Sequence, residues 1–176
     1  MRIFIAVNLP KEVKDYLFDL EEEFKGFGKI NFIAKKNLHI TLKFLGEIKE
    51  NSLNDIKKKL NNVKLKSFEV SLNNLRIFPN IELIKVLFAS LTPKEKLQEL
   101  FNKVDEELIE YPNNYSFLNH VTLGRIKVLK DKKGFIKKLD LKVKPINFKV
   151  TSFELMKSEL SKDGSKYSVL ETYYLE

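Results

Sequence analysis

Hydrophobic and polar positions along the chain switch repeatedly between a period of two and a period near 3.6, the two rhythms of strand and helix. Residues 2–8, RIFIAVN, form a nearly continuous apolar run, which predicts a well-covered strand. Pro10 suits a first helical position. Val13, Leu17, Leu20 and Phe24 follow at helical spacing to about Lys25, where Gly26 and Gly28 end the run. A short extended piece, 30–34, leads into NLHITLKFLGE, residues 37–47. There Leu38, Ile40, Leu42 and Phe44 alternate with His39, Thr41 and Lys43, predicting a half-buried strand with an unusual polar face. Leu53, Ile56, Leu60 and Val63 mark a second helix, capped by Asn51 or Ser52.

Phe68, Val70 and Leu72 alternate, and Leu75 and Ile77 continue with the parity shifted. That shift predicts a β-bulge near Asn73 and Asn74. Pro79 and Asn80 make a turn, and 83–91 is the returning strand. Thr92-Pro93-Lys94-Glu95 reads as a capping box before a helix striped by Leu97, Leu100, Phe101, Val104 and Leu108. Pro112, Asn113 and Asn114 break that helix. FLNHVTLGR, residues 117–125, predicts another strand, followed by a short helix near Phe135, Ile136 and Leu139. Ile146, Phe148 and Val150 alternate, and Phe153 and Leu155 shift parity again. Asp163-Gly164 then turns a hairpin into a last strand, 166–175.

An internal repeat runs through this order. Ala6, Pro10, Lys11 and Glu12 recur 83 residues on as Ala89, Pro93, Lys94 and Glu95. His39 recurs 81 residues on as His120, and Phe68 and Val70 recur 80 residues on as Phe148 and Val150. A strand–helix–strand–helix–hairpin unit is therefore duplicated. The expected fold is α+β and bilobal, with two pseudo-symmetric lobes, each an antiparallel sheet with helices. The first and last strands share one lobe and the middle of the chain forms the other. Nothing rich in Gly, Pro or Ser separates them, so residues 1–176 are expected to form one bilobal domain.

The candidate chemistry lies in the two histidine stretches. The chain has only two histidines, and each opens a His-(Ile/Val)-Thr-Leu tetrapeptide. Thr is otherwise confined to Thr92, Thr151 and Thr172. A pseudo-two-fold axis would bring His39 and His120 face to face in a cleft. Imidazoles titrate near pH ~6.5, so such a pair can hold one proton and act as general acid and general base. In-line displacement at phosphorus needs those two roles on opposite sides of the phosphate. Thr41 and Thr122, each ~7 Å along the strand from its His, can donate to nonbridging phosphate oxygens. Arg125 is a candidate bidentate phosphate donor. Strict alternation from His120 puts it on the opposite face, with Val121 and Leu123, so it reaches the cleft only if the strand ends or bulges near Gly124. Lys43 keeps parity with His39 and Thr41 and is expected as an exposed strand lysine. Phe4 and Tyr167 are candidate base-stacking groups, but aromatics in alternating strands are more often core, and both are left out of the site.

Composition narrows the class. With 43% hydrophobic and 32% charged residues among 176, the chain is globular. No apolar run is long enough for a membrane span, and the start turns polar too soon for a secretory signal. There are no cysteines, which removes disulfides and thiolate metal sites. Two histidines without clustered carboxylates leave too few ligands for zinc, so no metal is expected. The net charge of +8 suits a polyanionic partner. These features together point to a cytoplasmic protein, expected to be a monomer.

The paired tetrapeptides closely resemble the signature of the two-histidine phosphoesterases. Within that superfamily, NLHITLKFLGE resembles the RNA 2′,3′-cyclic phosphodiesterases, also called 2′-5′ RNA ligases. RIFIAV, residues 2–7, and Arg125 match the same pattern, and weaker similarity covers most of the chain. Asn119 departs from it, standing where the family often has Pro. The resemblance implies a bilobal α+β fold with one His-x-Thr-x motif on a strand of each lobe. It implies hydrolysis of terminal 2′,3′-cyclic phosphates on RNA to 2′-phosphomonoesters, with reversible 2′-5′ ligation as a related activity and no cofactor. His39 is then the proton donor to the leaving O3′ and His120 the proton acceptor from water. The pseudo-symmetry alone does not say which His is which. A tRNA fragment, an oligonucleotide or a small nucleotide such as an ADP-ribose cyclic phosphate would each fit as substrate. An RNA-binding protein without turnover would also explain the charge, but it leaves the matched motifs unexplained.

Overall fold

The computed structural model describes residues 1–112, 116–162 and 164–176. Strand β1 (Arg2–Asn8) feeds helix α1 (Lys11–Glu21), which tightens into a 3-10 turn over Glu22–Phe24. Then come β2 (Gly28–Phe32), β3 (His39–Glu47) and helix α2 (Leu53–Leu60). The hairpin β4 (Phe68–Pro79) and β5 (Ile84–Thr92) leads to α3 (Lys94–Glu107), β6 (His120–Leu129) and α4 (Lys132–Lys138). Strands β7 (Asn147–Val150), β8 (Ser152–Ser161) and β9 (Gly164–Tyr174) complete the chain. The sheet runs β7-β4-β5-β6-β3-β1-β8-β9, with every pairing antiparallel and β2 also on β6. It is a curled sheet in an α+β fold.

Two half-sheets meet at one place. Strands β3, β1, β8 and β9 form one half and β7, β4, β5 and β6 the other, joined among the described residues by the single pair Ile40–Val121. The rest of that edge of β6 is taken by β2, from Gly28–Leu129 to Phe32–Gly124. The two histidine strands therefore touch near their starts and diverge, which opens a cleft between them. The helices bind the halves together from behind: α1 packs against β6 and α3 against β3. One face of the sheet buries Ile3, Ile5, Leu87, Val121 and Leu155 beneath Leu17 of α1 and Leu97 and Val104 of α3. That burial is the main stabilising term.

Several local expectations need correction. Pro10 precedes α1 instead of opening it, and the α-helix stops at Glu21. The capping box does not form. Thr92 is the last residue of β5, paired with Ser71, so Pro93 takes the cap position without a side-chain bond. A 3-10 turn over Glu50–Ser52 runs into α2, and Ser52 takes the expected cap position but without a side-chain hydrogen bond. Helix α3 ends at Glu107, before Pro112; Asn113 and Asn114 lie outside the described residues, as does Asp163 of the last hairpin. The bulge at Asn73 and Asn74 is present, because Leu72 pairs with Leu91 and Leu75 with Ala89. Ser90 holds it, donating to the Asn74 carbonyl (3.1 Å) and accepting from its N–H (3.2 Å). The second parity shift has another cause: Val150 pairs with β4 and Leu155 with β1, so the chain changes half-sheets at Thr151. The repeat also carries a slip. Ala6 faces Thr41 while Phe88, not Ala89, faces Thr122, so strands and helices repeat at slightly different offsets.

Glu21, in the last turn of α1, is only 3% exposed, and its Oε1 has no hydrogen-bond partner. Burial pushes its carboxyl from 4.5 up to about 8; Lys25 lowers it and Glu22 adds to the rise. The folded state thus holds this proton more tightly than the unfolded chain does. The associated stability is complete below about pH 4.5 and is lost as the pH climbs through about 8. Urea midpoints at pH 5 and pH 8 are expected to differ for the wild type, and the difference should shrink in Glu21→Gln. Equal pH dependence in both proteins would show that Glu21 is solvated.

Candidate active site

His39 and His120 each begin a strand, His39 just after a 3-10 turn over Lys35–Asn37 and His120 after an irregular segment, with a backbone carbonyl two residues back in reach. Each imidazole uses it. His39 Nδ1–H donates to the Asn37 carbonyl and His120 Nδ1–H to the Leu118 carbonyl, both at 2.6 Å. These bonds fix the tautomer, leaving Nε2 as the reactive nitrogen on each ring. His39 Nε2 lies 2.9 Å from Thr41 Oγ1. Among the described residues His120 Nε2 has no such partner.

The rings are wedged by aromatics. Phe4 and Tyr167 flank His39, with centroids at 5.2 and 5.5 Å, and Phe88 stands edge-on to His120 at 5.3 Å. Burial holds both imidazoles below their ordinary value. The carbonyl bonds work against that shift, while Lys14 and His120 add to it at His39, and Arg125 adds to it at His120. A small cavity of about 90 Å3 is lined by both histidines, Thr41, Thr122, Arg125 and Tyr167. It adjoins a larger, mostly apolar one of about 620 Å3, reached past Phe44, Phe78 and Phe88.

Alternation fails just after each motif, at matched positions. In β3, Thr41 pairs with Ala6 and Lys43 with Ile5, which leaves Leu42 as the extra residue of a bulge. In β6, Thr122 pairs with Phe88 and Gly124 with Leu87, so Leu123 is the extra residue. Each bulge reverses the parity of the residues beyond it. Arg125 is thereby carried to the cleft face, contrary to strict alternation. Lys43 and Phe44 also exchange their expected places. Lys43 is fully buried and paired with Asp105 of α3. Phe44 is 50% exposed and lines both cavities. At the position of Lys43 the second strand has Gly124, where a Cβ would come within 2.8 Å of Ile30 and 3.2 Å of Phe32, so only glycine lets β2 approach.

Sequence reasoning missed Phe44 and Phe88 as neighbours of the site and set Phe4 and Tyr167 aside as core, although both rings pack on His39. One signal was available: Phe44 and Arg125 are related by the same 81-residue offset as the histidines. Asn119, the departure from the family pattern, donates to the Leu91 carbonyl at 2.6 Å and so ties the approach to His120 onto β5. Among the described residues no group of three or more His, Cys, Asp or Glu is placed to hold a metal ion. Among them, too, no helix is long and apolar enough to cross a membrane.

Two imidazoles with locked tautomers, hydroxyls beside them and one cleft between two half-sheets define the class of the two-histidine phosphoesterases. Comparison with known proteins gives the family. The profile of the LigT-like phosphoesterases matches residues 7–88, which include the first motif. The RNA 2′,3′-cyclic phosphodiesterase of Methanocaldococcus jannaschii is 31% identical over 98% of this chain and all of that one. The crystal structure of TT0787 of Thermus thermophilus superposes with a TM-score of 0.78 at 29% identity, over 99% of this chain and 97% of that one. Escherichia coli LigT complexed with 3′-AMP shares the fold, with a TM-score of 0.80 at 20% identity over 99% and 97% of the two chains. The chain belongs to the LigT-like phosphoesterase family.

Lys43 ties β3 to α3 at the bulge. Lys43→Ala is expected to lower stability by ~2 kcal/mol or more, since it leaves a void in the core. Lys43→Met, which keeps the volume, should lose less. Urea denaturation of both variants measures this, and two wild-type midpoints would remove Lys43 as a strut.

Proposed function

We propose that the protein hydrolyses terminal 2′,3′-cyclic phosphates on RNA to 2′-phosphomonoesters, with His39 and His120 as the general acid and base. The observation that carries this reading is the matched pair of imidazoles, each with Nδ1–H committed to a carbonyl, facing one small cavity. The name carried by the relative from M. jannaschii supports the substrate. The 1–176 chain acts as one bilobal domain, which the continuous sheet and the helices packed across the halves support. The expected working form is a cytoplasmic monomer acting on RNA ends such as tRNA fragments, with reversible 2′-5′ ligation, in which a 5′-hydroxyl takes the place of water, as a related activity.

In the forward reaction His120 Nε2 takes a proton from water as the water oxygen bonds to phosphorus. The P–O3′ bond breaks in line, and His39 Nε2–H gives its proton to O3′. The product carries a 2′-phosphate and a free 3′-hydroxyl. His120 Nδ1–H is committed to the Leu118 carbonyl, which supports Nε2 as the base, since its lone pair faces the cavity. Thr41, Thr122 and Arg125 line the same cavity and are suited to the nonbridging oxygens, whose charge grows toward the transition state. The strained ring needs no further activation of the leaving group than a proton.

Incubating the protein with an RNA ending in a 2′,3′-cyclic phosphate, then locating the product phosphate, tests the reading directly. A 3′-phosphate, or an untouched substrate, would count against it. His39→Ala and His120→Ala should each lower kcat by a factor of about 10² to 10⁴. The double variant should be little worse than the worse single one, because the pair acts as a unit. Near-normal turnover by either folded single variant would remove that histidine from the mechanism.

The pH dependence follows from the burial. Activity needs His120 neutral and His39 protonated, so the rate falls when the pH drops below the lower value of the pair or rises above the upper one. Burial depresses both imidazoles in the free protein. The bell in kcat/KM should therefore be centred below the ordinary imidazole value of ~6.5. A bound phosphate raises both, so kcat should peak at a higher pH than kcat/KM. A profile flat from about pH 5 to 9 would mean that neither imidazole transfers a proton in the slow step.

A further inference from the structure

The two half-sheets present equivalent faces to the cleft, but their charges are opposite at one matched position. In the first half, Thr41 stands opposite Ala6, and Ala6 opposite Glu154. In the second, Thr122 stands opposite Phe88, and Phe88 opposite Arg76. Two strands out from each Thr, about 10 Å away, the pseudo-symmetric fold thus has a carboxylate on one side and a guanidinium on the other. Arg76 lines a groove of about 420 Å3 with Asn73, Ser90, Thr92, Lys94 and Asn119. Phe88 and Leu118 form walls of this groove and of the large cavity lined by His120 and Arg125, so the two adjoin.

Some surface lysines are neutralised by carboxylates, such as Lys57 by Glu171 and Lys138 by Glu23. Among the described residues Arg76 and Lys94 make no ion pair, although Glu95 also lines the groove. Phe78, 54% exposed, lies two residues from Arg76 on the same strand face. Cations interleaved with exposed aromatics are what a single-stranded nucleic acid requires. The matching recess on the first half contains Glu154 and Met156 with Lys36 at its side, so the position that corresponds to Arg76 carries a carboxylate that disfavours a phosphate there.

We propose that the cleft face of β4 and β5 is the track for the RNA chain leading to the reactive end, with Arg76 and Lys94 binding the phosphodiester that joins the terminal nucleotide to its neighbour. This rests on the reading of the cleft as a cyclic phosphodiesterase site. The polarity of the substrate is then set by a charge reversal on an otherwise symmetric scaffold. The terminal phosphate occupies the cavity between the histidines, and the chain leaves over Phe88 toward β4 and not over Ala6 toward β8. A dinucleotide is accordingly the shortest substrate to use the whole site.

The test compares a dinucleotide ending in a 2′,3′-cyclic phosphate with a 2′,3′-cyclic mononucleotide. In the Arg76→Gln, Lys94→Gln double variant, KM for the dinucleotide should rise about tenfold, and its log–log dependence on salt should become shallower by about one. The mononucleotide constants should not change, which also shows that the variant is folded. Glu154→Gln should leave the ratio of the two wild-type KM values unaltered. Equal rises for both substrates, or no rise for the dinucleotide, would overturn the track. Calorimetric binding of the corresponding 2′-phosphate products reads the same groove without turnover. If neither cyclic substrate reacts but the double variant still weakens only the dinucleotide product, the track stands and the activity does not. If both products weaken alike, the track falls whatever the activity.

Discussion

The site depends on one register event made twice: a single extra residue one position past the Thr of each histidine strand. Leu42 and Leu123 are those residues. A bulge gives up local pairing, bends its strand and re-aims every side chain beyond it. Without the first, Lys43 would point into the cleft and Phe44 into the core. Without the second, Arg125 would sit on the far face with Val121. The two bulges are supported differently. The first is held by a buried lysine reaching Asp105 on α3, the second by a glycine that lets β2 close against β6.

Burial and proton chemistry pull against each other at the imidazoles. Packing each ring against phenylalanine orients it, but it also disfavours the charged form that an acid requires. The backbone carbonyls at Asn37 and Leu118 offset part of that penalty. An anionic substrate in the cavity between the rings would offset more. A site of this kind is most fully protonated when it is occupied, which ties acid strength to binding.

The duplicated architecture supplies matched histidines, and departures from the duplication supply direction. At the positions after the bulges stand an aromatic ring, Phe44, and a cation, Arg125. Two strands out stand Glu154 and Arg76. A symmetric cleft would hold a phosphate in either orientation. These unlike pairs favour one orientation over the other.

The α+β class, the repeat and the two histidine strands were legible in the sequence because each rests on short-range periodicity. His39, Thr41, His120 and Thr122 share a cleft, as alternation over three residues requires. The bulge at Asn73 was legible too, since its parity shift lies within a single strand. The failures share a cause. Lys43 and Phe44 were assigned to the wrong faces, and Arg125 was left to an unproven bulge, because a bulge at a Leu in an apolar run shows no parity break until the partner strand is known. The capping box failed because Thr92 was claimed by pairing with Ser71 in another strand. Local pattern determined which residues could be catalytic partners. Only the tertiary structure decided which aromatics and cations surround them, since those contacts join β1, β4, β5 and β9 to β3 and β6 across long separations in the chain.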